Sequence, residues 1–303
     1  MNNSDINQER PIVVGIGEAL WDLLPGGKKI GGAPANFAYH VSQFGLDGRV
    51  VSAVGHDSLG LELLHCFREK GLGSHISMVD YPTGTVDVQL DSCGVPTYDI
   101  RQNVAWDNMP FTDQIKALAG QTRAVCFGSL AQRNAVSRNA IRRFLEAMPD
   151  GDGVLKVFDI NLRQNFYTPE IIERSMECCN ILKINDEELA IVGAMHGHAD
   201  ADPEDLCRRL FDRYALKALV LTCGAKGSYS FTRDDVRFVS SPAVDVADTV
   251  GAGDSFTATF IASLLKGHTV AEAHRMAVAV SAYVCTRHGA MPVLPAELIT
   301  AVG

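Results

Sequence analysis

The chain has 303 residues, 47% hydrophobic and 21% charged, a globular composition that argues against extensive disorder. Its net charge of −9 disfavours broad binding to nucleic acid or anionic membrane, although a local array of backbone amides can still hold an anion. No apolar run reaches bilayer length, the polar start "MNNSDINQER" lacks signal-peptide form, and the eight cysteines make no C-x-x-C pair, so a reducing, cytoplasmic setting is expected.

The first strand signal is "PIVVGIG" (Pro11–Gly17). After a glycine-rich, hairpin-like segment, "PANFAYHVSQFG" (Pro34–Gly45) reads as a helix closed by glycine. "RVVSAVG" is a strand, and "SLGLELLHCFREKG" (Ser58–Gly71) an amphipathic helix with glycine just past its end. "TGTVDVQLDS" and "PTYDIRQNVAW" alternate apolar and polar residues, the period of half-exposed antiparallel strands.

Strand–helix alternation then resumes. "AVCFGSL" leads into "SRNAIRRFLEAM", "VLKVFDIN" into "PEIIERSMECC", and "ILKIN" into "DEELAIVG"; "PEDLCRRLFDRY" precedes "LKALVLTCG". The apolar strands look covered on both faces, as in a parallel sheet between helix layers. "SYSFT" and "VRFVS" form a hairpin around "RDD", and two long helices follow, Asp254–Gly267 and Val270–Arg287. The expected architecture is a single doubly wound α/β domain over 1–303. Its mostly parallel central sheet is flanked by helices, and it carries a small β-sheet insertion from about Ala19–Lys29 and Ile76–Trp106.

Ligands of open parallel α/β sheets bind beyond the carboxyl ends of the strands. Polar residues recur there: Glu18 and Asp22; Gly31, Gly32 and Asn36; Asp159, Asn161 and Arg163; Asn185 and Glu188; Thr222, Gly224 and Gly227. Any one is ordinary turn chemistry; the repetition is not. There is no G-x-x-x-x-G-K-[ST], and "GIGEAL" has Leu20 where a dinucleotide fingerprint needs its third glycine. Lys28 and Lys29 read as a solvated turn.

"DTVGAGDSF" is the most informative stretch. With Asp254 opening a helix, the amides of Ala252, Gly253 and Asp254 point out of its positive end, and the glycines let an oxyanion come close. The same positive end is expected to depress the Asp254 pKa. A simple N-cap aspartate is the bland alternative. An anion hole containing a carboxylate suits phosphoryl transfer to an alcohol, in which the acceptor hydroxyl needs orienting and a late proton acceptor more than a strong base.

"GGAPANFAYHVSQFG" and "DTVGAGDSFTATF", with "DINLR", "NDEE" and "TCGAKG" in order between them, resemble the signature segments of the ribokinase-like (PfkB) carbohydrate kinases, over nearly the whole chain. The resemblance implies an α/β core with a β lid and magnesium-ATP as donor. It implies Asp254 as base, with Gly251, Ala252 and Gly253 cradling the phosphate. Asn185 and Glu188 would place magnesium and phosphate, Glu188 through water, while Thr222, Gly224 and Gly227 would lie along the nucleotide. Asp22, Gly32 and Asn36 match positions that hold sugar hydroxyls. Asp248, with the backbone around Val250, Val284, Arg287 and Gly289, matches a potassium site of some relatives.

"GEALWDLLPGG" looks most like fructokinases, which makes fructose the first acceptor expected. Ala33-Pro34 stands where ribokinase carries lysine and counts against ribose. Arg101 and Arg163 could instead hold a carboxylate or phosphate, keeping 2-keto-3-deoxygluconate and sugar phosphates open beside ribose and nucleosides. A non-catalytic sugar or nucleotide sensor is the reading from another class. A homodimer through the lid is expected, with no nucleic-acid or membrane partner.

Overall fold

The computed structural model describes residues 10–24, 26–90 and 96–303. Residues 1–9 of the expected lead-in, and Pro25 and 91–95 of the expected insertion, lie outside the described residues.

In chain order, β1 (Ile12–Ile16) precedes β2 (Leu20–Leu24), β3 (Gly27–Gly31), α1 (Ala33–Gln43), β4 (Asp47–Gly55), α2 (Ser58–Glu69) and β5 (Gly73–Val79). Next come β6 (Gly84–Leu90), β7 (Pro96–Ile100), α3 (Asp113–Ala119), β8 (Thr122–Phe127), α4 (Ala135–Ala147), β9 (Leu155–Asp159), α5 (Pro169–Cys178), β10 (Ile181–Asn185) and α6 (Asp186–Met195). The last elements are α7 (Pro203–Arg213), β11 (Ala218–Thr222), β12 (Ser228–Phe231), β13 (Val236–Val239), α8 (Ala252–Leu265), α9 (Val270–Cys285) and α10 (Ala296–Val302).

Nine strands form the large sheet in the order β13-β12-β11-β10-β9-β8-β1-β4-β5. It is parallel from β11 to β5, with β12 and β13 added antiparallel at one edge. Alternate side chains serve two apolar layers, which is why these strands read as continuous hydrophobic runs. Val14, Ile16, Phe127 and Phe158 pack toward α4, α5, α6 and α7, whereas Val13 and Val157 pack toward α1, α8 and α9.

The second sheet has the order β3-β2-β6-β7, with β2 and β6 parallel and its other pairs antiparallel. It draws on Leu20–Gly31 and Gly84–Ile100, narrower than the expected insertion. Residues 73–79 pair with β4 as the edge strand of the large sheet, Arg49 opposite Gly73 through Gly55 opposite Val79. Trp106 is fully buried in the large sheet's core.

Helix α8 starts at Ala252, two residues before the expected Asp254. Gly251 is its N-cap, at φ 79°, and a β-carbon there would come within 2.7 Å of Ala290. Only glycine takes that left-handed turn without strain.

Candidate active site

Asp254 is therefore the third residue of α8 and not its cap, and no side chain caps this helix end. The Gly253 and Asp254 amides stay available to an outside anion, because N–H groups of a helix's first turn lack intrahelical partners, whereas Ala252 N donates to Thr249 O at 3.3 Å. Asn36, on the first turns of α1, donates Nδ2 to Asp254 Oδ2 at 2.7 Å. It is carried there by a tight entry into α1: Gly32 has φ 110°, and a β-carbon on it would lie 2.4 Å from the Glu18 carbonyl oxygen. The two resembling segments, 218 residues apart, thus meet in one hydrogen bond.

The Asp254 carboxyl is pushed up to about 6, not depressed as the helix end alone suggests. Burial is the largest cause, and the neighbouring Asp159 adds to it, while Asn36, Lys183 and Arg163 pull the other way. Desolvation of the anion outweighs the partial charge of the helix.

Around Asp254 the strand ends gather in a narrow pocket lined by Glu18, Asp159, Asn161 and Thr257 among others. Glu18 is 4% exposed, its Oε2 has no hydrogen-bond partner, and burial raises its carboxyl to about 7. Asp22, on β2 opposite Lys29, is raised to about 6, again mainly by burial. Arg163 is exposed, yet its charge acts on Glu18, Asp22 and Asp254 alike, which places it on this cleft.

Arg101 is different. It sits just past β7, 61% exposed at its side chain, and pairs with Asp87 at 3.1 Å. Its carbonyl accepts from Arg133, whose guanidinium is held bidentately by Asp107 and stacks on Trp106 and Phe166. This buried assembly, absent from sequence reasoning, anchors the root of the small sheet to the large one.

On the other side of α8, Asn185 and Thr222 are register partners at the ends of β10 and β11. Asn185 caps α6 by accepting from Glu188 N at 2.7 Å, and Glu188 Oε2 accepts from Asn185 N at 3.0 Å in return. Glu188 Oε1 accepts from Leu162 N at 2.9 Å. Gly224 and Gly227 bracket the turn that leads into β12, closed by Cys223 N donating to Gly227 O at 2.8 Å. Among the described residues, no group of three or more His, Cys, Asp or Glu could hold a metal. Each Glu188 oxygen accepts from one amide and keeps a further lone pair, so the carboxylate fits a magnesium ion held largely by water and phosphate.

Asp248 accepts from Val250 N and Gly289 N, each at 3.0 Å, and Lys29 Nζ stands 3.7 Å from it. Lys28 pairs with Glu62 and lies over the Trp21 ring; both lysines are exposed, as expected, but on strand β3 and not in a turn.

Lys183 was not singled out in the sequence. Inside β10 it reaches Asp159 Oδ1 at 2.9 Å, and Asp159 Oδ2 accepts from Thr257 Oγ1 at 3.0 Å. The signal was there: a lysine in the middle of "ILKIN", a strand otherwise apolar up to its final asparagine.

Comparison with known proteins follows the same lines. The profile described as pfkB family carbohydrate kinase matches residues 26–297. A fructokinase of Klebsiella pneumoniae is 29% identical over 299 residues, covering 92% of this chain and 95% of its own. An ATP-dependent 6-phosphofructokinase of Thermoanaerobacterium thermosaccharolyticum is 29% identical over 274 residues, covering 88% of this chain and 82% of its own. Among solved structures, a sugar kinase of Pyrococcus horikoshii in complex with ATP superposes with a TM-score of 0.81 at 25% identity, over 96% of this chain and 99% of its own.

Proposed function

Because the chain belongs to the pfkB family of carbohydrate kinases and is an ATP-dependent sugar kinase, we propose that it phosphorylates a primary hydroxyl of a neutral keto-sugar, fructose first. The observation that carries this reading is the pairing of an uncapped α8 N-terminus with a raised, Asn36-held Asp254 carboxylate.

In this mechanism the amides of Gly253 and Asp254 bind the transferring phosphoryl group, with that of Ala252 joining them if it leaves Thr249 O. Asp254 Oδ accepts the hydroxyl proton as the sugar oxygen bonds to phosphorus and the nucleotide oxygen leaves. A pKa near 6 keeps the group ionised at neutral pH while making it a better base than an ordinary aspartate. Magnesium would supply charge neutralisation on the phosphates, with Glu188 reaching it through water and Asn185 beside it. Thr222, Gly224 and Gly227 would follow the nucleotide; Asp22, Gly32 and Asn36 would hold acceptor hydroxyls. The smaller sheet would close over the acceptor and keep water out.

The acceptor class follows from charge. Glu18, Asp22 and Asp254 crowd one side of the cleft with Arg163 facing them, which suits hydroxyl donors better than an anionic sugar. The fructokinase relatives support the same choice. A coupled assay of ADP release across fructose, ribose, nucleosides, 2-keto-3-deoxygluconate and fructose 6-phosphate tests it. Fructose is expected to give the highest kcat/KM; preference for the acid or the sugar phosphate refutes the acceptor assignment, and ATP binding without turnover on any acceptor favours a sensor.

A further inference from the structure

We propose that Lys183 is the side-chain member of the anion hole, donating a hydrogen bond to a non-bridging oxygen of the phosphoryl group in flight. The inference rests on the kinase reading above and adds to it a residue for which the motifs give no role.

Three observations converge on Lys183. Its ammonium is largely buried, with 12% of the side chain exposed, and its one hydrogen-bond acceptor among the described residues is Asp159 Oδ1. A lysine ammonium has three N–H donors, so two lack a partner where water is scarce, an expensive condition unless a ligand meets them. A β-carbon built on Gly253 would lie 3.3 Å from Nζ, so the amine rests against the second residue of α8, beside the uncapped amides.

Electrostatics sharpen the point. A cation set beside the positive end of a helix is repelled by it, and the pair becomes favourable when an anion joins both. Asp159 is held through its other oxygen by Thr257 from α8, so it fixes where the ammonium stands. The acids Asp159, Glu188 and Asp254 all favour the protonated amine, whose pKa is raised despite burial. A phosphoryl oxygen provides the missing anion. Lys183 gives up no proton in the step: the sugar oxygen–phosphorus bond forms, the nucleotide oxygen–phosphorus bond breaks, and the hydroxyl proton goes to Asp254.

The competing role is a mere counter-ion for Asp159. Two variants separate them: Lys183→Met, and Lys183→Met with Asp159→Asn, which removes both buried charges. Turnover is read beside calorimetric affinity for ADP alone and for ADP with magnesium and aluminium fluoride, a mimic of the phosphoryl group in flight.

Lys183→Met is expected to lower kcat about 10²- to 10³-fold, as for loss of one oxyanion donor. It is expected to weaken the aluminium fluoride complex by a similar factor while ADP alone changes less than about threefold. The double variant is expected to regain thermal stability but not turnover. If it turns over within about threefold of wild type, or if both variants bind the mimic as wild type does, Lys183 is only a counter-ion and the proposal is overturned. If the single variant does not fold, the charge-free double variant decides by the same two readouts. A wild-type protein that neither transfers phosphate nor binds the mimic refutes the kinase reading itself, a result distinct from Lys183-specific failure.

Discussion

Replacing Asn36 by leucine tests the proposed base through its one side-chain hydrogen-bond donor among the described residues. Asn36 is 3% exposed and reaches Asp254 Oδ2 at 2.7 Å, and this bond is the largest influence holding the carboxyl down against burial. A hydrogen bond to an ionised group contributes about 1.5–3 kcal/mol, and one pKa unit corresponds to about 1.4 kcal/mol. Leucine removes the donor at similar volume, so the Asp254 pKa is expected to climb by about one to two units from its value near 6. Asp254 works ionised, so activity disappears below its pKa and a higher pKa moves the acid limb to higher pH. The pH dependence of kcat/KM for the acceptor reports the free enzyme. Its limb should lie near pH 6 in wild type and about pH 7–8 in the variant. Asn36 is also an expected acceptor ligand, so the plateau should fall as well, but plateau height and limb position are separate readouts. A limb that stays within roughly 0.3 of a unit while the plateau drops would show that Asn36 does not govern this ionisation.

Asp254→Asn should reduce kcat by about 10³-fold or more while calorimetry finds ATP affinity within about threefold of wild type; near-normal turnover would sink the mechanism. Stability should fall as pH rises. Burial raises Glu18 to about 7 and Asp22 and Asp254 to about 6, so the folded chain holds more protons than the unfolded one between about pH 4 and 7. The stabilisation from these groups is complete below their unfolded pKa values and is lost through that window. Thermal melts should therefore give a higher Tm at pH 5.5 than at pH 8, all other groups being equal, and Glu18→Gln should flatten the slope by up to about 3 kcal/mol across it. Parallel curves for the two proteins would place the Glu18 carboxyl in water in the folded state.

Much of the large sheet was legible in the sequence because both its faces are buried, which writes each strand as an apolar run of its own. β5 was not, since "GSHISMV" is an edge strand with an exposed beginning and its partner lies before α2 in the chain. Asp254 was legible as a residue and misread as a group. The pattern reveals the helix end that would lower its pKa, but not the burial of the carboxylate and the neighbouring Asp159 charge that raise it. Lys183 and Arg133 were hidden for a related reason: a long cation in a strand or loop has no signature until the acid it meets is known, and Asp159 and Asp107 lie 24 and 26 residues away.

The distribution of charge has a consequence for direction. In the proposed mechanism Lys183 and the α8 amides would meet the transferring phosphoryl group, while Glu18 and Asp22 are on the proposed acceptor side. A neutral sugar would enter such a cleft without electrostatic penalty and leave it carrying phosphate among carboxylates. The same burial that lifts the Asp254 pKa strengthens this repulsion, because charges interact more strongly where water is excluded. On the proposed reading such a cleft would admit a neutral acceptor and repel an anionic product, and an acceptor that arrives already phosphorylated would meet that repulsion on entry.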